Sequence, residues 1–259
     1  MGEHAPEAAA DPGATGRRGL VFAPRSSGVP LTRPHDPGAT ALAAIDRRII
    51  QLFALVGEAI AGSSTVLLSA DRVAAEALVR RDAEIDALYR SLDDEVLRLI
   101  AEGTSSAGIS PAEMRHLVAV LRILPELERS GDLAEHIALR ATRGVAAEMS
   151  ARVRGLVERM GEVASAMWRM AADAYGDRTP DVANKLDVLD DELDELQVSL
   201  TAELVTCGLP TSVVIELVLI ARFYERLGDH AVNIARRVPG YDPLGGVAAP
   251  LMRSGELPC

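Results

Sequence analysis

The sequence predicts an all-α fold: a tandem repeat of two antiparallel three-helix bundles, six long helices in all, flanked by disordered termini. Three observations carry this reading. Apolar residues recur at steps of three and four over long stretches, the helical period. Aromatic residues make up only 3% of the 259 residues, while Ala, Leu, Val, Arg and Glu dominate, a mix that suits helices packed by aliphatic side chains better than sheets. Two acidic segments also occur twice. Glu128-Arg-Ser-Gly-Asp132 returns 97 positions later (225 minus 128) as Glu225-Arg-Leu-Gly-Asp229. Asp82-Ala-Glu-Ile-Asp86 returns 108 positions later (190 minus 82) as Asp190-Asp-Glu-Leu-Asp194. The apolar frame travels with the second pair: Leu78, Ile85, Leu88, Leu92 and Val96 match Leu186, Leu193, Leu196, Leu200 and Leu204.

Residues 1–38 carry Pro6, Pro12, Pro24, Pro30, Pro34 and Pro37 among glycines, with no apolar period, and are expected to be disordered. The first bundle then occupies 39–145. Its first helix opens near Thr40 and ends near Ser69, on Leu42, Ile45, Ile49, Leu52, Phe53, Val56 and Ile60. A second helix runs from about Asp71 to Ala101 and stops at the Gly/Ser-rich stretch 103–108, a linker by composition. The third opens at Ser110-Pro111-Ala-Glu113, a capping box with proline at the first helical position. It reaches about Arg143, where Gly144 can end it, and Pro125 in its interior should bend it.

The second bundle, 146–238, repeats the plan. Its helices are expected at about Ala146–Tyr175, Pro180–Thr206 and Thr211–Val238, with Val153, Leu156, Met160, Val163 and Met167 marking the first of them. Pro239-Gly240 closes the last, and the tail 239–259 is expected to be disordered. Helices of this length run roughly 40 to 50 Å.

A hydrophobic content of 48% with mean hydropathy +0.13 is ample for a core. The net charge is −11, and since the first 38 residues hold equal numbers of acidic and basic side chains, the whole acidic excess lies downstream. That argues against nucleic acid as a main partner. Cys207 and Cys259 form no CxxC pair and no secretory signal is evident, so a reducing, cytoplasmic compartment is expected. Uninterrupted apolar runs such as Leu217–Ala221 fall far short of the roughly 20 residues that span a bilayer, so no membrane insertion is expected.

The chemistry lies in the acidic steps. A spacing of four puts Glu128 over Asp132, and Glu225 over Asp229, on one helix face. In an up-down-up bundle the second and third helices are antiparallel neighbours. Asp86 lies 19 residues before the turn near 105 and Glu128 lies 23 after it, so both stand about 30 Å from that turn. Around the turn near 208, Asp194 is 14 residues before and Glu225 17 after, and those heights agree as well.

Clustered carboxylates repel by on the order of 3 kcal/mol for two at 5 Å in an effective dielectric near 20. Something must offset that: Arg129, Arg140, Arg226 and Arg237, or a bound multivalent cation. Oxygen-only ligands suit hard ions such as Mg, Mn, Ca or Fe. The bland alternative is a set of solvated faces laced with arginine. His136, four residues after Asp132, could add a ligand in the first half only, because Asn233 stands in its place in the second. Gly131 and Gly228 recur at one position although each costs a helix about 1 kcal/mol relative to Ala, which points to close helix approach.

Leu127-Glu-Arg-Ser-Gly-Asp-Leu-Ala and Tyr224-Glu-Arg-Leu-Gly-Asp-His-Ala-Val-Asn-Ile-Ala, with the Asp-x-x-Ile-Asp-x-Leu-Tyr segment upstream, resemble the PhoU family of phosphate-signalling regulators over roughly residues 40 to 238. The resemblance implies two three-helix bundles and multinuclear metal sites with divalent or trivalent ions (Fe, Mn, Mg or Zn). By position the ligands would be Asp82, Asp86, Glu128 and Asp132, and Asp190, Asp194, Glu225 and Asp229. It also implies a non-enzymatic negative regulator of phosphate uptake and phosphate-starvation signalling. Such an adaptor acts between the ATPase of a phosphate-specific ABC transporter and a membrane sensor histidine kinase, in the cytoplasm and peripherally at the inner membrane face, and a homodimer is compatible with it. The proline-rich leader, Pro125 and a longer linker between the second and third helices depart from the family pattern.

Two other functions compete. A carboxylate-bridged dimetal enzyme of the ferritin-like kind needs two Glu-x-x-His motifs, and only Glu113-Met-Arg-His116 fits, with Glu113 better explained by the capping box. A metal-free helical interaction scaffold is the third reading.

Overall fold

The computed structural model describes residues 37–105, 109–177 and 182–238. Among them lie six α-helices, α1 (Pro37–Ser69), α2 (Arg72–Ser105), α3 (Pro111–Ala141), α4 (Ala151–Asp177), α5 (Val182–Thr206) and α6 (Thr211–Arg237), with a single 3-10 turn, Val145–Glu148, and no strand. The all-α tandem repeat read from the sequence is what forms. The residues expected to be disordered before Pro37 and after Val238 fall outside the described residues, as do the linker residues 106–108, Pro180 and Pro239-Gly240.

Local chemistry sets the helix starts. Asp71 Oδ1 accepts from the Ala74 amide at 3.0 Å and caps α2. At α3 the capping box is complete: the Glu113 amide donates to Ser110 Oγ at 3.2 Å, and the Ser110 amide donates to Glu113 Oε2 at 2.7 Å. Gly144 ends this segment with φ of 74°, as the sequence indicated. Helix α3 runs unbroken through Pro125.

Three boundaries differ from expectation: α1 begins at Pro37, so Pro37 and Gly38 belong to the helix and not to the disordered leader. Helix α2 continues through Gly103 to Ser105. Helix α4 begins at Ala151 rather than Ala146, because the chain first makes the 3-10 turn and Ser150 then caps α4, its Oγ accepting from the Val153 amide at 3.2 Å. Arg154 holds the turn in place, donating to the carbonyls of Ala146 at 2.8 Å and Leu68 at 2.5 Å.

One core joins both repeats. Across α1 and α4, Trp168 Nε1 donates to the Phe53 carbonyl at 3.0 Å, Tyr175 donates to Asp46 Oδ1 at 2.6 Å and Arg154 reaches Leu68, so the two helices run antiparallel. Helices α3 and α6 are antiparallel too: Ser130 meets His230, His136 meets Phe223, and Arg143 meets Glu216. Helix α2 packs on α1 and α3, and α5 packs on α4 and α6. The two repeats are thereby related about the seam where α3 meets α6.

Helix α1 carries an 18-residue window of mean hydropathy 1.6 within Thr40–Ser69, long and apolar enough by composition to cross a membrane. Counting uninterrupted apolar runs misses such a window, because polar residues punctuate it. In the fold α1 is a core helix, with Ile45, Ile49, Leu52, Val56 and Ile60 sealed from solvent among α2, α3 and α4.

Candidate metal centre

Helix α2 presents Asp82 and Asp86 on the face that packs against α3, and α3 presents Glu128 and Asp132 at the same height. The antiparallel count brings Asp86 near both Glu128 and Asp132, but Glu128 lies outside the closest carboxylate trio. Asp82, Asp86 and Asp132 each bring one carboxylate oxygen within 4.8 Å of the others, all half-buried, the one such trio of acidic, His or Cys ligand atoms among the described residues. Burial, then Glu135, Asp132, Asp86 and Glu128, push the Asp82 carboxyl up to about 6. Burial, with Asp132 and Asp86 beside it, also raises Glu128, against which Arg129 pulls. Asp132 is raised by burial and Asp86, and His136 opposes.

The second half builds a related but looser group from α5 and α6. Burial, then Asp229, Asp194, Glu225 and Asp187, raise Asp190 to about 6. Glu225 is raised by burial and Asp229, with Arg222 opposing. Asp187, farther along α5, is tied to Arg236 at 2.8 Å.

The duplicated glycines bring each helix pair together at its acidic steps. A β-carbon on Gly131 would lie 3.0 Å from Ile85 Cγ2 and 3.4 Å from Asp82 Oδ1, and one on Gly228 would lie 2.8 Å from Asp190 Oδ1 and 2.9 Å from Leu193 Cδ2. Close helix approach, inferred from their recurrence, is their role.

Of the arginines expected to neutralise the clusters, Arg129 and Arg226 act on Glu128 and Glu225. Arg140 and Arg237 are committed elsewhere. Arg140 lies 3.4 Å from Glu216 and 4.7 Å above the Phe223 ring, and Arg237 pairs with the buried Glu126. The arginines that do touch the clusters are two the sequence reading passed over. Arg90 donates to Asp86 Oδ2 at 3.2 Å, and Arg222 Nη1 lies 2.5 Å from Glu225 Oε2, a charge contact outside hydrogen-bond alignment.

Glu135 was likewise missed. It lines a small cavity of about 20 Å³ with Asp82, Ile85 and Gly131, room for about one water-sized group. Arg81, also at that cavity, is bonded to Glu58 at 3.1 Å.

His136 is exposed, its ring 5.5 Å from that of Phe223. Asn233 is half-buried on α6. The Glu113/His116 pair is engaged otherwise: Glu113 closes the capping box, and His116 Nε2 lies 2.8 Å from Asp46 Oδ1.

As a donor set, each cluster offers carboxylate oxygens alone, all half-buried in the first half, while in the second Asp190 and Glu225 are half-buried and Asp194 and Asp229 exposed; oxygen donors of this kind fit a hard multivalent cation. The family model described as the PhoU domain matches residues 49–141 and 157–238, one copy for each set of acidic steps. The chain belongs to the PhoU family. A Mycobacterium tuberculosis protein named phosphate-specific transport system accessory protein PhoU homolog 1 is 32% identical over 194 residues, covering 74% of this chain and 86% of that protein. A Rhizobium meliloti PhoU homolog of the same description is 28% identical over 198 residues, covering 75% of this chain and 82% of that protein. Among solved structures, PhoU from Pseudomonas aeruginosa superposes with a TM-score of 0.71 at 26% identity, covering 77% of this chain and 96% of that one. The Streptococcus pneumoniae phosphate transport system regulatory protein PhoU, at 19% identity and a TM-score of 0.67, shares the PhoU fold.

Proposed function

We propose that this chain is a non-enzymatic negative regulator of phosphate uptake and phosphate-starvation signalling. It is an adaptor that couples a phosphate-specific ABC transporter, through its ATPase, to a membrane sensor histidine kinase. The observation that carries the reading is the match of both repeats to the PhoU domain, together with relatives named as accessory proteins of phosphate-specific transport. The adaptor works in the cytoplasm and reaches the inner membrane face through its partners.

In this reading Asp82, Asp86, Glu128 and Asp132 hold metal ions in the first half, and Asp190, Asp194, Glu225 and Asp229 in the second. The bound ions, Fe, Mn, Mg or Zn, supply positive charge that offsets carboxylate repulsion across each helix pair. The chain's own part is positional. Gly131 and Gly228 let the helices meet, and the apolar frame of Ile85 and Leu193 beneath holds the acidic steps in register. The ferritin-like alternative finds no support in the one Glu-x-x-His segment, since both of its side chains are tied into structural contacts.

The test pairs a cell measurement with an elemental one. Deleting the chain should raise phosphate uptake and starvation-gene expression in phosphate-rich medium, with rescue by the full-length protein. Elemental mass spectrometry on protein purified without an affinity tag should find metal that is lost in Asp132→Ala/Asp229→Ala at unchanged helicity. Unaltered uptake after deletion would defeat the regulatory reading, and unchanged metal content would defeat the ligand assignment. Metal absent from both proteins would leave a metal-free interaction scaffold.

A further inference from the structure

Basic residues recur along α3 at intervals of seven: Arg115, Arg122, Arg129 and His136 within the helix, and Arg143 just past its end. All of them are exposed. Seven residues fall about 20° short of two full turns, so those in the helix keep to one face and form a ridge about 30 Å long. The duplicated architecture does not call for this ridge. At the corresponding places α6 has Ser212, Leu219, Arg226 and Asn233, yet it packs on α5 and α4 much as α3 packs on α2 and α1. Only Arg129 belongs to the segment that both repeats share.

Apolar positions fill the gaps in the ridge. Arg115, Val118, Arg122, Pro125 and Arg129 follow one another at steps of three and four, so cationic and apolar groups alternate along one strip of the helix. Val118 is 39% exposed and Pro125 half-buried. The fold leaves these cations largely unanswered. Glu126 and Glu216, the acids at the α3/α6 seam, are engaged by Arg237 and by Arg140 with Arg143. Among the described residues, the side chains of Arg115, Arg122 and Arg129 make no ion pair or hydrogen bond. Arg129 acts on its neighbour Glu128 from a distance, which leaves Arg115 and Arg122 as the freest charges of the strip.

We propose that this strip of α3 docks an acidic amphipathic helix of a partner protein, its carboxylates meeting Arg115, Arg122 and Arg129 and its apolar residues seating on Val118 and Pro125. A seven-residue alternation of charge and apolar surface is what one helix reads on another. The borders of the strip favour a narrow partner. Glu128 and Asp132 stand beside it on α3, and the chain as a whole carries a charge of −11. A helix about 10 Å across can meet the cations alone, whereas an anionic bilayer or a nucleic-acid duplex would also face those carboxylates. The inference goes beyond the regulatory reading and does not depend on metal in either cluster.

The test uses the full-length chain and a fluorescently labelled synthetic helix of Leu, Ala and Glu with a Glu at every seventh position, followed by anisotropy. A version with Lys in place of Glu, and vesicles of anionic phospholipid, are titrated in parallel. The acidic helix should bind, with an affinity that falls as salt is raised. Arg115→Glu/Arg122→Glu should weaken it by about tenfold or more and should take up the Lys helix instead. Arg80→Glu, at an exposed arginine of α2, should leave binding unchanged. Far-UV circular dichroism on each variant establishes that it is folded. No binding of the acidic helix, binding undiminished in Arg115→Glu/Arg122→Glu, or an equal loss in Arg80→Glu overturns the proposal. Vesicles that bind more tightly than the acidic helix would make the strip a membrane contact, and a dimer that the double variant dissociates would make a second copy its occupant; either result overturns the proposal too. The regulatory reading survives all of these failures, because deletion of the chain decides it.

Discussion

Gly228 on α6 lies so close to Asp190 on α5 that a β-carbon at the glycine would stand 2.8 Å from Asp190 Oδ1, whereas its repeat mate Gly131 would meet Asp82 Oδ1 at 3.4 Å. Ala in place of a helical Gly ordinarily gains about 1 kcal/mol from backbone propensity. At Gly228 that gain is opposed by overlap with Asp190 and Leu193, of the kind that costs about 1 to 3 kcal/mol in a packed interior. Gly228→Ala should therefore lower stability in urea unfolding and displace the second-half carboxylates. At Gly131 the nearest atom is Ile85 Cγ2 at 3.0 Å, with Asp82 in ordinary contact, so Gly131→Ala should be closer to neutral. Equal losses at the two sites would contradict this ordering.

The metal-free protein should become more stable as the solution is acidified from pH 7.5 to 5. Asp82 and Asp190 have folded values of about 6 against 3.8 in the unfolded chain, because burial and neighbouring carboxylates penalise the charged forms. A raised carboxyl favours the folded state when protonated. Its contribution is fully present below about pH 4 and is lost as the pH rises through 6. Melting temperature against pH, in the presence of a chelator, should fall across that window, and Asp82→Asn/Asp190→Asn should flatten the fall. A wild-type curve that rises from pH 5 to 7.5 would contradict the assignment.

Removing the capping box at the start of α3 should cost about 1 kcal/mol, since Ser110→Ala leaves the Glu113 amide without its acceptor. The Ser110 amide, and after it the Ser110 hydroxyl, hold the Glu113 carboxyl below its ordinary range, so loss of the hydroxyl should move its titration part of the way up in the variant. Metal content should not change, because Glu113 belongs to the cap. A parallel loss of bound metal would revive the Glu113/His116 pair as a ligand set.

Most of this fold was legible because its information is local and duplicated. Periodicity marked α1 to α6, Ser110 to Glu113 announced a cap, and counting residues from each turn placed Asp86 opposite Glu128 before any coordinates. The same reliance on duplication hid what the repeats do not share. Glu135 has Val232 as its mate, so matching the halves gave no reason to select it. The Arg222 and Glu225 pair was readable from its spacing of three, but attention to the shared Glu-Arg-x-Gly-Asp core favoured Arg226 instead. Helix α4 starts late because Arg154 reaches back to Ala146 and across to Leu68, and the second of these contacts exists only once α1 has docked. The seam between the halves was equally hidden, for a buried charge and its partner over 100 residues away carry no local signature.

That seam yields the largest stability effect. Glu126 on α3 is 7% exposed and pairs with Arg237 on α6, with His230 Nε2 3.8 Å away and His230 Nδ1 3.0 Å from Ser130 Oγ. Burial pushes the His230 imidazolium below its ordinary range, so near neutral pH the positive charge that balances Glu126 comes from Arg237. Arg237→Ala would leave a buried carboxylate without its partner, a change that costs about 3 to 5 kcal/mol when a buried pair is broken. Because α3 and α6 join the repeats, the loss should appear in one cooperative transition of the whole helical unit. Arg237→Ala/Glu126→Leu, which removes both charges, should recover most of it. A single variant as stable as wild type in denaturant would show that Glu126 is solvated at the seam and that the two halves are held by their apolar core alone.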